Sequence, residues 1–277
     1  MPRIIATTAL FVLLVSPIAA TAPQSVSDDT IWKDFVAWLE TLPPVTQVVS
    51  VLDLYRKELG GKGLTQGDVK QTMDRVLRLM RDRPDAWRPI FNRLYRTSGT
   101  TFSQEPTPLL VAAVTERKPG KALDVGMGQG RNAVFLALKG WDVTGIDLAE
   151  EGLAVARAQA ARAGVALNPI VADAARFDYG RDAWDLIVIT YGPGFIGDAP
   201  FAERLKSALR PGGLLVIESF ASDRSAATRR PVDLDPAELL RLFQSYRIIR
   251  FEDVDGVSEW DPQVTRLVRL IAQKPPA

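Results

Sequence analysis

The chain has 277 residues, of which 47% are hydrophobic and 24% are charged, and this composition suffices for one sizeable core with a smaller appendage. Its 34 basic and 33 acidic residues argue against nucleic acid as the primary substrate, because phosphate-backbone binding needs a concentration of positive charge. Cysteine and histidine are absent, which excludes thiolate nucleophiles, disulfides, Ser/His/Asp triads and zinc sites built from Cys or His. An intrinsically reactive cofactor is the simplest chemistry for such a chain.

Residues 1–22 have the composition of a signal peptide. Arg3 precedes an apolar run from Ile4 to Val15, and small residues follow around Ala20. The run is shorter than the ~20 residues that a membrane-spanning helix needs, so we expect no stable membrane span. The sequence therefore predicts export to the periplasm or the medium. The alternatives are a retained N-terminal anchor or a cytoplasmic protein.

Residues 28–101 carry apolar side chains at helical spacing, which predicts a helical N-terminal region with its own packed stripes. Proline and glycine residues interrupt this pattern and divide it into separate helices. We expect four helices: one that begins near Asp28 and is stopped by Pro43-Pro44, one from Val45 to Leu59, one capped by Thr65 and one opened by Pro84.

From residue 102 to 277, apolar runs of strand length alternate with segments of helix length, which predicts a parallel sheet with crossover helices. The expected fold class is α/β, a doubly wound, mostly parallel, seven-stranded sheet. The last two strands have only a short link through Gly256, so one of them should run antiparallel. The predicted strands are Ala122–Val125, Asp142–Ile146, Pro169–Ala172, Leu186–Thr190, Leu214–Ser219, Tyr246–Asp253 and Thr265–Gln273, and Gly140, Gly164 and Gly212 are predicted helix C-caps.

A glycine-rich turn containing Gly126, Gly128 and Gly130 follows the first predicted strand and precedes a helix. The missing side chains should let a ligand approach the backbone N–H groups, as in many nucleotide sites. A dinucleotide fingerprint needs its third glycine three positions after the second, and Arg131 stands there. The GxGxG spacing therefore weakens an NAD-binding interpretation.

Acidic residues stand at three consecutive strand ends. Asp124 lies in the first strand, Asp147 closes the second and Asp173 follows the third, so the carboxyl ends of parallel strands should bring them together. Asp147 suits a pair of ribose hydroxyls, and Asp173 suits an adenine amino group. A carboxylate that binds ribose hydroxyls is also found in dinucleotide sites. Alternatively, Asp147 could cap the helix that starts near Glu150.

Together these segments resemble class I S-adenosylmethionine-dependent methyltransferases, specifically the small-molecule subgroup that includes tellurite-resistance and thiopurine-type enzymes. The resemblance covers roughly Phe91 to Lys274. Met127 departs from it, since many members carry cysteine or another small residue there. The motifs that carry the resemblance are Leu123-Asp-Val-Gly-Met-Gly-Gln-Gly-Arg-Asn-Ala133, Gly140-Trp-Asp-Val-Thr-Gly-Ile-Asp147, Ala172-Asp173-Ala174, Trp184-Asp-Leu-Ile-Val188 and Leu209-Arg-Pro-Gly-Gly-Leu-Leu215.

The resemblance implies S-adenosylmethionine as cofactor and assigns residues to its parts. The glycine turn would pack against the methionine part, and Asp124 would contact the turn or the amino acid end. Asp147 with Leu148 would hold the ribose, and Asp173 with Ala174 the adenine. The segment 102–108 would close over the cofactor, with contributions from Tyr95 and Glu105.

The methyl acceptor is expected to be a small molecule. Tyr191 follows the fourth predicted strand and is the candidate for positioning the acceptor, although a packed aromatic beside a turn explains it equally well. Arg229 and Arg230 could bind an anionic substrate or form a solvated loop. Two rival functions remain open here: a non-catalytic exported binding module on the same fold, and an NAD-linked oxidoreductase.

Overall fold

The computed structural model describes residues 26–43, 50–82, 87–96, 102–192, 194–222, 233–259 and 264–276. The predicted signal segment and the Arg229–Arg230 pair lie outside these residues. The helices are α1 Asp28–Leu39, α2 Val51–Gly61, α3 Gln66–Asp82, α4 Trp87–Arg96, α5 Pro108–Val114, α6 Arg131–Leu138, α7 Glu150–Ala163, α8 Ala199–Ala208 and α9 Pro236–Leu242. The strands are β1 Lys121–Val125, β2 Asp142–Asp147, β3 Asn168–Val171, β4 Trp184–Thr190, β5 Leu209–Phe220, β6 Arg247–Val257 and β7 Val264–Gln273.

The seven strands form one sheet in the order β3-β2-β1-β4-β5-β7-β6. The first five strands pair in parallel, and β7 runs antiparallel to both of its neighbours, as the short link predicted. Alternate strand residues enter two cores, one against α8 and α9 and the other against α5, α6 and α7. The fold is a doubly wound α/β sheet with a helical N-terminal region, which confirms the predicted fold class.

The helices α1 to α4 pack around a third core of their own, in which Phe35 and Val76 are fully buried. Thr65 accepts the backbone N–H of Asp68 at 3.2 Å, which confirms it as the cap of α3. The region docks on the sheet domain through α4 and α7, where the side-chain amide of Asn92 donates to Glu150 at 2.7 Å. Within the described part of the chain, no helix is long and apolar enough to cross a membrane.

Several local predictions differ from the structure. The helix α5 was not predicted, because its seven residues are too few to show a helical period. Gly212, the predicted cap of α8, lies inside β5 at φ +79°, because that helix ends four residues earlier, at Ala208, and the chain continues directly into the strand. Gly256 lies within β6 rather than in the link to β7. The second helix begins at Val51, and residues 45–49 of its predicted span lie outside the described residues.

Candidate functional site

The candidate site lies at the carboxyl ends of β1, β2 and β3, which are neighbours in the sheet. The glycine turn leaves β1 here with Gly126, Gly128 and Gly130 at φ +72°, +52° and +84°. A Cβ atom on Gly128 would stand 2.7 Å from the hydroxyl of Tyr95, and one on Gly130 would stand 2.7 Å from the Cβ of Ala156. Both positions therefore require glycine for backbone conformation and for space.

The backbone amides of the turn donate hydrogen bonds to acceptors within the protein. Gly126 and Met127 donate to the carbonyl of Ile146 on β2 at 2.8 and 3.0 Å. Gly128 donates to the carboxylate of Asp147 at 2.9 Å, and Gly130 donates to a carbonyl of the turn at 2.9 Å. These four N–H groups are not available to a ligand, contrary to the expectation from the glycine pattern. The turn therefore lacks the row of free donors that holds a pyrophosphate.

Asp124 is a buried carboxylate without a full set of partners. Its residue is 1% exposed, and its Oδ2 has no hydrogen-bond partner. Burial raises the pKa of this carboxyl to about 7, although the charge of Arg131 and the backbone N–H of Ala133 act in the opposite direction. An unpaired acceptor at this depth favours a ligand that brings a donor or a positive charge.

Asp147 closes β2 and joins two segments of the site. Its Oδ2 accepts the Gly128 amide at 2.9 Å and its Oδ1 accepts the Ala149 amide at 2.8 Å, so it supports both the turn and the start of α7. Burial raises its pKa to about 6, against the effect of these backbone hydrogen bonds. The predicted alternative, that Asp147 caps this helix, is wrong, because Ala149 is the N-cap residue of α7 and the helix has no side-chain cap hydrogen bond. Each oxygen retains a second lone pair, so the ribose contact stays a prediction.

The predicted adenine contacts lie in the turn after β3. Asp173 accepts the amide of Ala175 at 2.8 Å, and the carbonyl of Ala174 accepts the hydroxyl of Tyr179 at 3.0 Å. Leu148, between Asp147 and α7, is half-buried. Among the residues that the structure describes, no group of three or more acidic side chains is arranged to hold a metal ion.

The N-terminal helical region contributes Tyr95 to the site. Its ring lies between the glycine turn and α7, close to both Gly128 and Gly152. Burial raises the pKa of Tyr95 well above its usual value, and the nearby charge of Asp147 raises it further. The Glu105 side chain, by contrast, is exposed. The backbone carbonyl of this residue accepts a hydrogen bond from the Arg131 guanidinium at 3.1 Å.

The side chain of Met127, the departure from the family pattern, lies against the neighbouring strand β2. It is buried, and a Cβ atom on Gly145 of β2 would overlap its sulfur. Its methyl group also stands 3.4 Å from where a Cβ on Gly130 would lie. The larger residue is therefore accommodated by a glycine on the neighbouring strand.

Tyr191 directly follows β4 in a left-handed conformation at φ +51°, which is rare for a bulky residue. It is 4% exposed, and its hydroxyl donates to the buried Glu218 of β5 at 2.7 Å. Burial and the Glu218 charge raise the pKa of Tyr191, so the phenol stays protonated. The packed-aromatic alternative fits this environment, and the acceptor-positioning role stays a prediction.

Sequence reasoning missed four polar residues around the site. Asn132 is buried, accepts the Thr107 amide at 2.9 Å and donates to Thr190 at 3.1 Å. A single acid inside the apolar run of β5 was the available signal for Glu218, and the position directly after the glycine turn was the signal for Arg131. Glu259 follows β6 in a polar connection that has no periodicity, so nothing marked it.

Comparison with known proteins agrees with this geometry. The model of a methyltransferase domain family matches residues 122–213. The chain is 33% identical over 108 residues to the demethylmenaquinone methyltransferase of Thermus thermophilus, covering 38% of this chain and 49% of that protein. It is 28% identical over 173 residues to hemagglutinin 1 of Eikenella corrodens, covering 59% and 57%. The chain thus spans about half the length of these curated relatives.

The fold has counterparts among solved structures. TehB from Haemophilus influenzae superposes with a TM-score of 0.54 at 20% identity, over 68% of this chain and 66% of that chain. The fold is therefore that of S-adenosylmethionine-dependent methyltransferases, and residues 122–213 match the model of a methyltransferase domain. The site fits that cofactor, because the unpaired oxygen of Asp124 suits the ammonium group of its methionine part.

Proposed function

We propose that the protein transfers a methyl group from S-adenosylmethionine to a small-molecule acceptor, a thiol, an amine or an oxyanion, as in the tellurite-resistance and thiopurine-type subgroup. One observation carries the proposal: the described amides of the glycine turn donate to groups within the protein, and the turn is flanked by the buried carboxylate of Asp124 and the half-buried carboxylate of Asp147. Such a site attracts a cation and repels a pyrophosphate. S-adenosylmethionine carries both an ammonium and a sulfonium charge.

Different residues of the chain would bind different parts of the cofactor. Asp124 would accept from the ammonium group beside the turn, Asp147 would accept from the ribose hydroxyls, and Asp173 would accept from the adenine amino group. The Tyr95 ring would form the side of the site that faces α4. Each assignment uses an acceptor or an aromatic face that is already fixed in place, so little ordering is needed on binding.

The bound cofactor would supply an activated methyl group with its own leaving group. The protein then has to align the acceptor and exclude water, and positioning of this kind contributes roughly 7–11 kcal/mol in favourable cases. A chain without histidine or cysteine can do this, because thiols, amines and oxyanions need no dedicated general base. The balance of charges supports a small acceptor rather than nucleic acid.

The two other functions are less well supported. An NAD-linked oxidoreductase needs a donor-rich turn for the pyrophosphate, and the turn amides are occupied here. A non-catalytic binding module would have the same cofactor site. Only a measurement of methyl transfer, and not one of cofactor affinity, distinguishes it from an enzyme.

Transfer of label from methyl-labelled S-adenosylmethionine tests the proposal. The purified protein is incubated with panels of thiols, amines and oxyanions at a limiting cofactor concentration, and Asp147→Ala serves as the weak-binding control. We expect label in one acceptor class with the wild type and much less with the variant. Cofactor binding without transfer to any class would favour the non-catalytic module instead.

A further inference from the structure

Glu259, in the connection between β6 and β7, contacts three separate parts of the site. Its carboxylate forms an ion pair with Arg131 at the start of α6 and accepts the Thr107 hydroxyl at 3.0 Å. Its carbonyl accepts the Ser103 amide at 3.2 Å, and its own amide donates to the Tyr191 hydroxyl at 3.4 Å. One residue therefore joins the segment before α5, the helix after the glycine turn and the end of β4.

The ion pair is well shielded from water. The side chains of Arg131 and Glu259 are only 12% and 14% exposed. Arg131 also donates to the Thr107 hydroxyl at 3.3 Å and to the Glu105 carbonyl at 3.1 Å, so its guanidinium is held on several sides. At this depth, loss of one partner leaves the other charge poorly solvated, and the effect is much larger than for a surface pair.

Glu259 also controls the charge beside the cofactor site. The Arg131 guanidinium lies close enough to Asp124 to lower the pKa of that carboxyl. With Arg131 paired to Glu259, the second oxygen of Asp124 has no hydrogen-bond partner. Without Glu259, Arg131 would keep its electrostatic interaction with Asp124 but lose its own ion-pair partner.

We infer that Glu259 is a positioning residue that fixes the cofactor side and the acceptor side of the site relative to one another. It acts through Arg131, Thr107 and Tyr191, and does not itself touch the reacting atoms. The inference rests on the proposed function, because it assigns Glu259 to the same cofactor site. It also predicts a property of the unliganded protein, namely that the segment around Ser103 is held in place by this residue.

The test compares three variants in titration calorimetry with S-adenosylhomocysteine. Glu259→Gln removes the charge, Glu259→Asp keeps it, and Asp253→Asn is the matched control, because it breaks the Asp253–Arg266 pair of the same hairpin away from the site. We expect Glu259→Gln to weaken binding about tenfold or more, Glu259→Asp to recover most of the loss, and Asp253→Asn to stay within about twofold of the wild type.

Hydrogen exchange on the unliganded proteins gives a second readout. The Ser103 amide should exchange about tenfold faster in Glu259→Gln and unchanged in Asp253→Asn. Equal effects of both variants, or no effect of Glu259→Gln on affinity or exchange, would overturn the inference. Failure of the wild type to bind S-adenosylhomocysteine would refute the proposed function instead, and the exchange result would still decide whether Glu259 holds the segment.

Discussion

Asp147 accepts hydrogen bonds from two amides, and both belong to segments that border the site. Replacing it with alanine removes the proposed ribose contacts and frees the Gly128 amide. We expect Asp147→Ala to weaken binding of S-adenosylhomocysteine tenfold or more, about 1.4 kcal/mol, in titration calorimetry. Asp142→Ala is the control, because Asp142 lies exposed at the opposite end of the same strand. Equal affinities of Asp147→Ala and the wild type would show that the ribose contact is misassigned.

The buried carboxylates make stability depend on pH. Burial raises the pKa of Asp124 from 3.8 to about 7, so the folded protein holds a proton that the unfolded chain releases. This contribution is fully present below pH 3.8 and is lost as the pH rises through about 7, and Asp147, at about 6, acts in the same direction.

In urea titrations, the free energy of unfolding of the unliganded protein should therefore fall as the pH rises over this window. The variant Asp124→Asn should flatten the dependence, because asparagine does not titrate. A slope that is the same in the variant and the wild type would contradict the assignment of the proton to Asp124.

At the scale of elements, the glycine turn depends on the strand beneath it. Met127 fills the space above Gly145, so Gly145→Ala forces its side chain to move and should destabilise the domain by about 1–3 kcal/mol. Met127→Ala removes the side chain that the new methyl group would meet. The double variant Met127→Ala/Gly145→Ala should therefore lose less free energy of unfolding than the sum of the losses of the two single variants. Thermal unfolding of the four proteins measures this coupling, and strictly additive losses would rule it out.

The sheet was largely predictable because its strands are buried apolar runs bounded by glycine and polar residues. The cofactor edge followed as well, since Asp124, Asp147 and Asp173 stand where parallel strands end. The use of the turn amides was not predictable, because the partner carbonyl of Ile146 becomes a neighbour only through the register of β1 and β2. Glu259 was missed for the same reason, since its partners lie 68 to 156 positions earlier in the chain.

On the scale of the whole molecule, the helical region and the sheet domain share the site. The helix α4 is held to α7 by Asn92, which donates to Glu150 and accepts the Glu151 amide at 3.1 Å. The same helix carries Tyr95 to the glycine turn. The N-terminal region is thus part of the wall around the turn rather than a separate appendage.

Export of the protein remains a proposal from its apolar N-terminal segment. We expect the mature protein to lack about 20 residues, because the small residues near Ala20 suit a signal peptidase. Mass spectrometry of the protein recovered from the cell envelope and medium measures this, with Leu13→Arg as the control that interrupts the apolar run. An intact chain found only in the cytoplasmic fraction would contradict export.

The central claim is that the turn between β1 and α6 is a methyl-donor site. Titration calorimetry of the purified protein with S-adenosylmethionine, S-adenosylhomocysteine and NAD tests it most directly. Because the turn has no free row of amides for a pyrophosphate and two carboxylates beside it, we expect binding of the first two ligands and none of NAD. Binding of NAD, or of none of the three, would contradict the claim.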